Sequence, residues 1–250
     1  MLLPGGSPSG VLKPGKLPPD LLARLLSQAP IHDGRLVLGP GVGLDCAVVD
    51  PGGDRLLVFK SDPITFASDE IGWYAVQVSA NDIACTGAAP VWFLATLLLP
   101  EGRATAGMVE AIFSQVYKAC EALRISVIGG HTEVTVGLDR PIICGAMVGE
   151  VARERLVTPR GLSPGDRLLL TKGVPVEAVS ILARELPERL SAALTPQEIV
   201  QARGYLYKPG ISVVADSRLA MEAGRVTAMH DPTEGGLLAA IWELAQASGC

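Results

Sequence analysis

Aromatic side chains are scarce: four Phe, four Tyr and three Trp among 250 residues. Basic residues are also the minority, 21 Lys and Arg against 26 Asp and Glu, for a formal net charge of −5. A nucleic-acid binder needs a basic stripe or a stacking platform, so that class is set aside. The five cysteines, at 46, 85, 120, 144 and 250, include no C-x-x-C pair, and their odd number leaves one over in any disulfide framework. A reducing, cytoplasmic setting is expected. Long apolar runs are missing too. The longest, 91–99, is too short to span a bilayer, and 1–19 carries prolines and glycines where a secretory signal would carry an apolar core. No membrane association is expected. What remains is 48 % hydrophobic and 19 % charged, enough apolar material to bury a sizeable core.

The chain opens on a Gly/Pro/Ser stretch without periodicity, read as a flexible tail over 1–19, and the first helix is expected after Pro18, Pro19 and Asp20. Residues 35–38, 46–50 and 55–61 read as strands, the last two joined in a hairpin through Pro51, Gly52 and Gly53. A helix over 70–85 stops at Gly87, and the apolar run 91–99 predicts a strand buried on both faces. Val109, Ile112, Phe113, Val116, Cys120 and Leu123 form the stripe of an amphipathic helix. Strands at 125–128 and 141–151 complete an α+β unit over 20–155. The polar, Pro/Gly-rich stretch 152–166 marks a boundary to a second unit, 156–250. There, strands are expected at 167–171 and 226–229, with helices at 176–185, 196–203, 211–223 and 234–248. The last helix carries Ala and Leu on several faces, and this second domain is expected to be incomplete at Cys250.

Polar residues cluster where apolar elements end. Gly39-Pro40-Gly41-Val42-Gly43-Leu44-Asp45 is a glycine-rich loop whose amides could line an anion while Asp45 faces a metal; a tight turn explains the glycines equally well. Asp62, in Lys60-Ser61-Asp62-Pro63, closes an apolar strand. Asn81 and Asp82 lie in a helix whose surroundings are almost wholly apolar, so the carboxylate must be paired, neutral or on a metal. Gly129, Gly130, His131, Thr132 and Glu133 follow a short apolar strand and read as a loop that approaches a ligand closely. The stretch from His230 through Asp231, Pro232, Thr233 and Glu234 to Gly235 and Gly236 opens the last helix. It could aim an acid and helix-terminal N–H groups at phosphate, or Asp231 or Thr233 could be only an N-cap. Three separated carboxylates, Asp45, Asp62 and Asp82, without a Cys/His ligand set, favour a hard cation carrying phosphate oxygens over zinc. The residues by themselves predict a Mg²⁺-nucleotide site.

In order, GPGVGLDCAVVD, KSDPITF, SANDIACTGAAPVWFLATLLLP, IGGHTEV and HDPTEGGL resemble the superfamily of aminoimidazole ribonucleotide (AIR) synthase, selenophosphate synthetase, thiamine-monophosphate kinase and the hydrogenase maturation protein HypE. The resemblance runs from about Leu36 to Cys250, and HDPTEGG is most similar to the HypE branch. It implies a two-domain α/β (α+β) fold whose N-terminal domain closes a β-barrel with a second copy, and ATP with Mg²⁺ bound along the dimer cleft. It assigns Asp45, Asp62 and Asp82 to metal and phosphate, and Asp82, His131 and Asp231 to the reaction centre. Gly41, Gly43, Asn81, Gly129 to Glu133, and Glu234 to Gly236 join the same acids as nucleotide contacts. The implied chemistry is phosphorylation of an amide-like oxygen followed by dehydration or cyclisation, with a maturation partner protein in the HypE case. AIR synthase proper and a non-catalytic nucleotide-binding scaffold are the alternatives. Two departures stand out: Leu44 replaces a second acid beside Asp45, and His131 stands where some branches carry an acid. HypE proteins accept the carbamoyl group on a C-terminal cysteine, and Cys250, ending a helix, is not expected to fill that role.

Overall fold

The computed structural model describes residues 10–65, 67 and 69–250, so residues 1–9 of the expected tail and Phe66 of the KSDPITF motif lie outside the described residues. Helix α1 (Pro19–Leu26) starts where the two prolines permit. Three antiparallel strands follow, β1 (Leu36–Leu38), β2 (Ala47–Val49) and β3 (Arg55–Ile64), then α2 (Ile71–Cys85), β4 (Ala89–Pro100), α3 (Ala106–Leu123), β5 (Ser126–Thr135) and β6 (Ile142–Ala152). The strands make one six-stranded sheet in the order β1-β2-β3-β6-β4-β5, antiparallel except for the parallel β4–β5 pair that α3 connects.

Helices α2 and α3 cover one face of this sheet. Alternation along β3 turns Leu56 and Val58 inward, where they meet Phe93, Ile143 and Met147 from neighbouring strands and Ile71, Val76 and Ile83 from α2. Thirteen of the fifteen residues of α2 are buried, which is why it shows no polar face. Thr105 caps α3 by accepting the Met108 N–H at 3.2 Å, and the helix inserts Ile112, Val116 and Cys120 into the same core.

The opposite face of the sheet is open, with Val37 and Phe59 exposed. The 91–99 run, expected to be buried on both sides, buries Phe93, Leu97 and Leu99 on the helix side only, while Trp92, Leu94 and Leu98 are half-buried and Thr96 is exposed.

Beyond β6 the chain is helical: α4 (Val176–Glu185), the short α5 (Pro187–Leu190), α6 (Pro196–Gly204), α7 (Val214–Ala223) and α8 (Gly236–Ser248). α7 begins three residues later than the sequence suggests. The strands expected at 167–171 and 226–229 are not formed among the described residues. Both runs have β-type composition, but a strand exists only with a ladder partner, and Leu169 is 91 % exposed. α2 is the spine that joins these helices to the sheet. Its Asn81 donates to the Ile211 carbonyl at 2.9 Å and accepts the Val213 N–H at 2.8 Å, while Ser217 donates to the Ala84 carbonyl at 2.6 Å.

Candidate functional site

A cleft of about 320 Å³ opens where four pieces of chain converge. The turn before β2 presents Asp45, the end of β3 presents Lys60 and Asp62, α2 presents Asp82, and the segment before α8 presents His230, Thr233 and Glu234; Gly15 and Lys16 lie across it. Period-two alternation puts Lys60 and Asp62 on the helix-facing side of β3, and that is why a strand-borne lysine can meet an acid in the last turn of α2.

Lys60 Nζ lies 2.8 Å from Asp82 and 3.3 Å from Asp62, with its side chain 11 % and that of Asp82 6 % exposed. Burial works against the ammonium, but the fields of Asp82 and Asp62 prevail and hold its pKa above the ordinary value. The Asp82 carboxyl is pushed well up by burial and by the nearby Asp231 and Asp45, with Lys60 opposing. Burial likewise raises Asp62. The sequence left open how Asp82 is satisfied; the cationic partner is Lys60.

A second group forms around His230. Its Nε2 is 2.8 Å from Glu243 Oε2 on α8, and its Nδ1 faces Asp231 at 3.7 Å and Asp45 at 3.8 Å. Lys16 pairs with the other oxygen of Glu243 at 3.1 Å. Burial would depress the imidazole pKa, yet the neighbouring Asp231 and Glu243 carboxylates raise it to about 8. The structure therefore divides the expected metal trio. Asp62 and Asp82 share Lys60, whereas Asp45 joins His230 and Asp231, each offering a ligand atom within 4.8 Å of the others.

Other expected contacts fall elsewhere. Asn81 commits both amide atoms to the 211–213 backbone and is a structural clamp. Gly129, Gly130, His131, Thr132 and Glu133 do not form a loop. They continue β5 as an exposed edge strand, because Gly130 lets β5 lie so close to β4 that a Cβ would fall 2.0 Å from the Ala95 carbonyl. His131 is 64 % exposed, hydrogen-bonds Glu133 at 3.0 Å, and does not line the cleft. Gly41 and Gly43 sit in a tight turn closed by a Gly41–Leu44 bridge. Gly43, at φ +74°, packs so closely on α8 that a Cβ would lie 2.9 Å from the Glu243 carbonyl. Helix α8 starts from Gly235, so neither Asp231 nor Thr233 is its N-cap.

Sequence reasoning missed Glu177, Lys16 and Glu243, and quoted Lys60 and His230 without giving them a role. For Lys60 the i, i+2 spacing to Asp62 on a strand was the available signal. Glu177, at the start of α4, is pushed up to about 7 by burial and by Glu234, Asp231 and Asp62. It lines an adjoining cavity of about 530 Å³, mostly apolar, which shares His230 and Thr233 with the cleft.

Residues 43–151 match the N-terminal domain, and residues 163–250 the C-terminal domain, of the AIR synthase related protein family. The chain belongs to that family. It is 28 % identical over 214 residues to the carbamoyl dehydratase HypE of Rhodobacter capsulatus, covering 82 % of this chain and 58 % of the relative. The fold matches that of a thiamine-monophosphate kinase from Aquifex aeolicus complexed with AMPPCP and TMP, with TM-score 0.70 and 24 % identity over 92 % of this chain and 69 % of that one. A HypE in complex with ATP gives TM-score 0.63 at 24 % identity, covering 82 % and 59 %. The chain spans about three fifths of the length of the curated relatives it matches. No helix among the described residues is long and apolar enough to cross a membrane.

Proposed function

We propose that this cleft binds the phosphates of ATP with Mg²⁺, and that the protein phosphorylates an amide-like oxygen to drive loss of water, as a HypE-type maturation enzyme working with a maturation partner protein. The observation that carries this reading is the convergence of Asp45, Asp62 and Asp82 with the 230–234 segment around one cleft. The donor set suits a hard divalent cation: carboxylates dominate, and buried Asp231 keeps one oxygen, Oδ2, without a hydrogen-bond partner. Asp45, Asp62, Asp82 and Asp231 would hold the ion, which when bound neutralises and orients phosphate oxygens. Lys60 balances Asp62 and Asp82 and offers an ammonium to phosphate. The N-terminus of α8 at Gly235 and Gly236, beside Glu234, gives amide donors suited to an anion. The adjoining cavity with Glu177 would receive the acceptor.

The division at 155/156 would then separate a nucleotide-binding domain from one that closes over the acceptor. The open apolar face and edge strand β5 favour a homodimer completing a barrel, which would carry Gly129 to Glu133 and His131 toward the dimer cleft. The five free thiols suit the cytoplasm. The similarity to a thiamine-monophosphate kinase supports a second reading, transfer to a phosphate acceptor.

A thermal-shift titration with Mg-ATP on wild type and Asp231→Asn tests binding, and a coupled ADP-release assay with a carbamoylated thiol peptide or thiamine monophosphate as acceptor tests the branch. The expected result is a ligand-induced rise in Tm that the variant loses, with release stimulated by the carbamoylated peptide. An equal rise in both proteins, or stimulation by the thiamine compound alone, overturns the reading.

A further inference from the structure

Glu177 occupies the second position of α4, in the wall of the cavity of about 530 Å³ that adjoins the cleft. His230 and Thr233 border both spaces, so the two meet at the segment before α8. Val176, Ile211, Leu237, Ala240 and Ile241 contribute to a largely apolar wall, which suits an uncharged arm of a ligand. Two other polar groups of this wall are already satisfied. Asn81 is hydrogen-bonded to the 211–213 backbone, and Lys172 Nζ pairs with Asp216 at 3.1 Å and donates to the Ser212 carbonyl. Glu177, half-buried, has neither an ion-pair partner nor a side-chain hydrogen bond among the described residues.

Leaving such a group unpaired costs stability, and a ligand that supplies a partner recovers that cost on binding. The charges that act on Glu177 narrow the partner's chemistry. They come from Glu234, Asp231 and Asp62, all acids. An anionic head group entering among them adds a further like charge, whereas an N–H donates to a carboxyl oxygen whether Glu177 is ionised or protonated. A cation in the cleft would offset Asp62 and Asp231, but Glu177 and Glu234 lie outside that ligand set and keep their effect.

We propose that Glu177 is a specificity-determining residue of the acceptor site, accepting an N–H of the acceptor's reacting head group and excluding anionic acceptors. This rests on the reading above only in placing the acceptor in the adjoining cavity. An amide-type head meets both requirements, since its N–H can face Glu177 while its oxygen turns toward the cleft. A phosphate monoester meets neither, and a site built to take an N–H discriminates strongly against a head group that lacks one.

Hexanamide, hexanoate and hexyl phosphate share an apolar arm and differ only in the head group. Their binding to the purified full chain, in Mg²⁺ buffer without nucleotide, is measured by saturation-transfer NMR titration. Hexanamide should bind at least about tenfold more tightly than either anion, the contribution of one hydrogen bond to a charged group. Glu177→Gln keeps a carbonyl acceptor without the charge, so it should retain hexanamide within about twofold and narrow the gap to the anions to about threefold. Glu177→Lys should reverse the preference. Equal or tighter binding of an anion by the wild type, an unchanged preference in both variants, or no binding of any probe at millimolar concentration overturns the proposal. Nucleotide binding is read separately in the Mg-ATP thermal-shift titration, so a chain that binds Mg-ATP yet shows no head-group preference refutes this inference alone. The wild-type preference decides even where a variant fails to fold.

Discussion

Replacing Lys60 with methionine keeps most of the side-chain volume and removes the cation that Asp82 faces at 2.8 Å and Asp62 at 3.3 Å. Removing one partner of a buried pair costs about 3–5 kcal/mol, because the remaining charge stays desolvated. Asp82 can escape part of that cost by taking up a proton, at about 1.4 kcal/mol per pH unit above its carboxyl pKa. The folded-state pKa of Asp82 is already raised above its unfolded value, and Lys60→Met raises it further, so the variant binds more protons folded than unfolded. Its stability deficit must therefore grow with pH. About 3 kcal/mol is expected near pH 8, falling to about 1 kcal/mol near pH 5. For a chain of this size each kcal/mol moves Tm by roughly 2–4 °C, so Tm should fall by about 6–12 °C at pH 8. Thermal unfolding followed by circular dichroism at both pH values measures this, with Asp82→Asn and the double variant completing a cycle. The double variant should recover at least half of the loss. A Lys60→Met protein within a degree of wild type at both pH values, or a double variant no better than the single one, refutes the pairing as a source of stability.

Glu177, pushed up to about 7 from 4.5, favours the protonated folded state, so its contribution is fully present below about pH 4.5 and is lost as pH rises through 7. Glu177→Gln should flatten that dependence and gain about 2 kcal/mol at pH 8 in urea unfolding; an unchanged pH profile would show that the group is solvated. Asn81→Ala leaves the Ile211 carbonyl and Val213 N–H without their side-chain partner and should cost about 2–4 kcal/mol in the same measurement. A loss under about 1 kcal/mol would mean that Asn81 is free for ligand rather than a clamp. Gly43→Ala, at φ +74° with the Glu243 carbonyl 2.9 Å from the new Cβ, should lower stability by about 1–3 kcal/mol. A neutral result would place the turn away from α8.

The local grammar of this chain is legible without coordinates. Apolar periodicity marks α3, nearly unbroken apolar composition marks α2 and β4, the prolines before Asp20 mark the start of α1, and the Pro51-Gly52-Gly53 turn marks the β2–β3 hairpin. These features depend on a few neighbouring residues, and local steric and burial preferences suffice to specify them. Acids placed in apolar surroundings were equally visible, because burying Asp82 unpaired is too costly to be accidental. Which cation answers which acid was decided only by the tertiary fold. Lys60 reaches Asp82 because β3 lies against α2, and His230 reaches Asp45 because α8 packs on the Gly43 turn. The same limit explains the failures. Residues 167–171 and 226–229 have strand composition but no ladder, and Gly129 to Glu133 look like a loop yet extend β5, since strand pairing is a property of the partner as much as of the segment. Sequence determined which residues must be buried and which buried charges need a partner; the packing of distant segments chose the partners, because charge pairing acts over a few ångströms in space and is indifferent to distance along the chain.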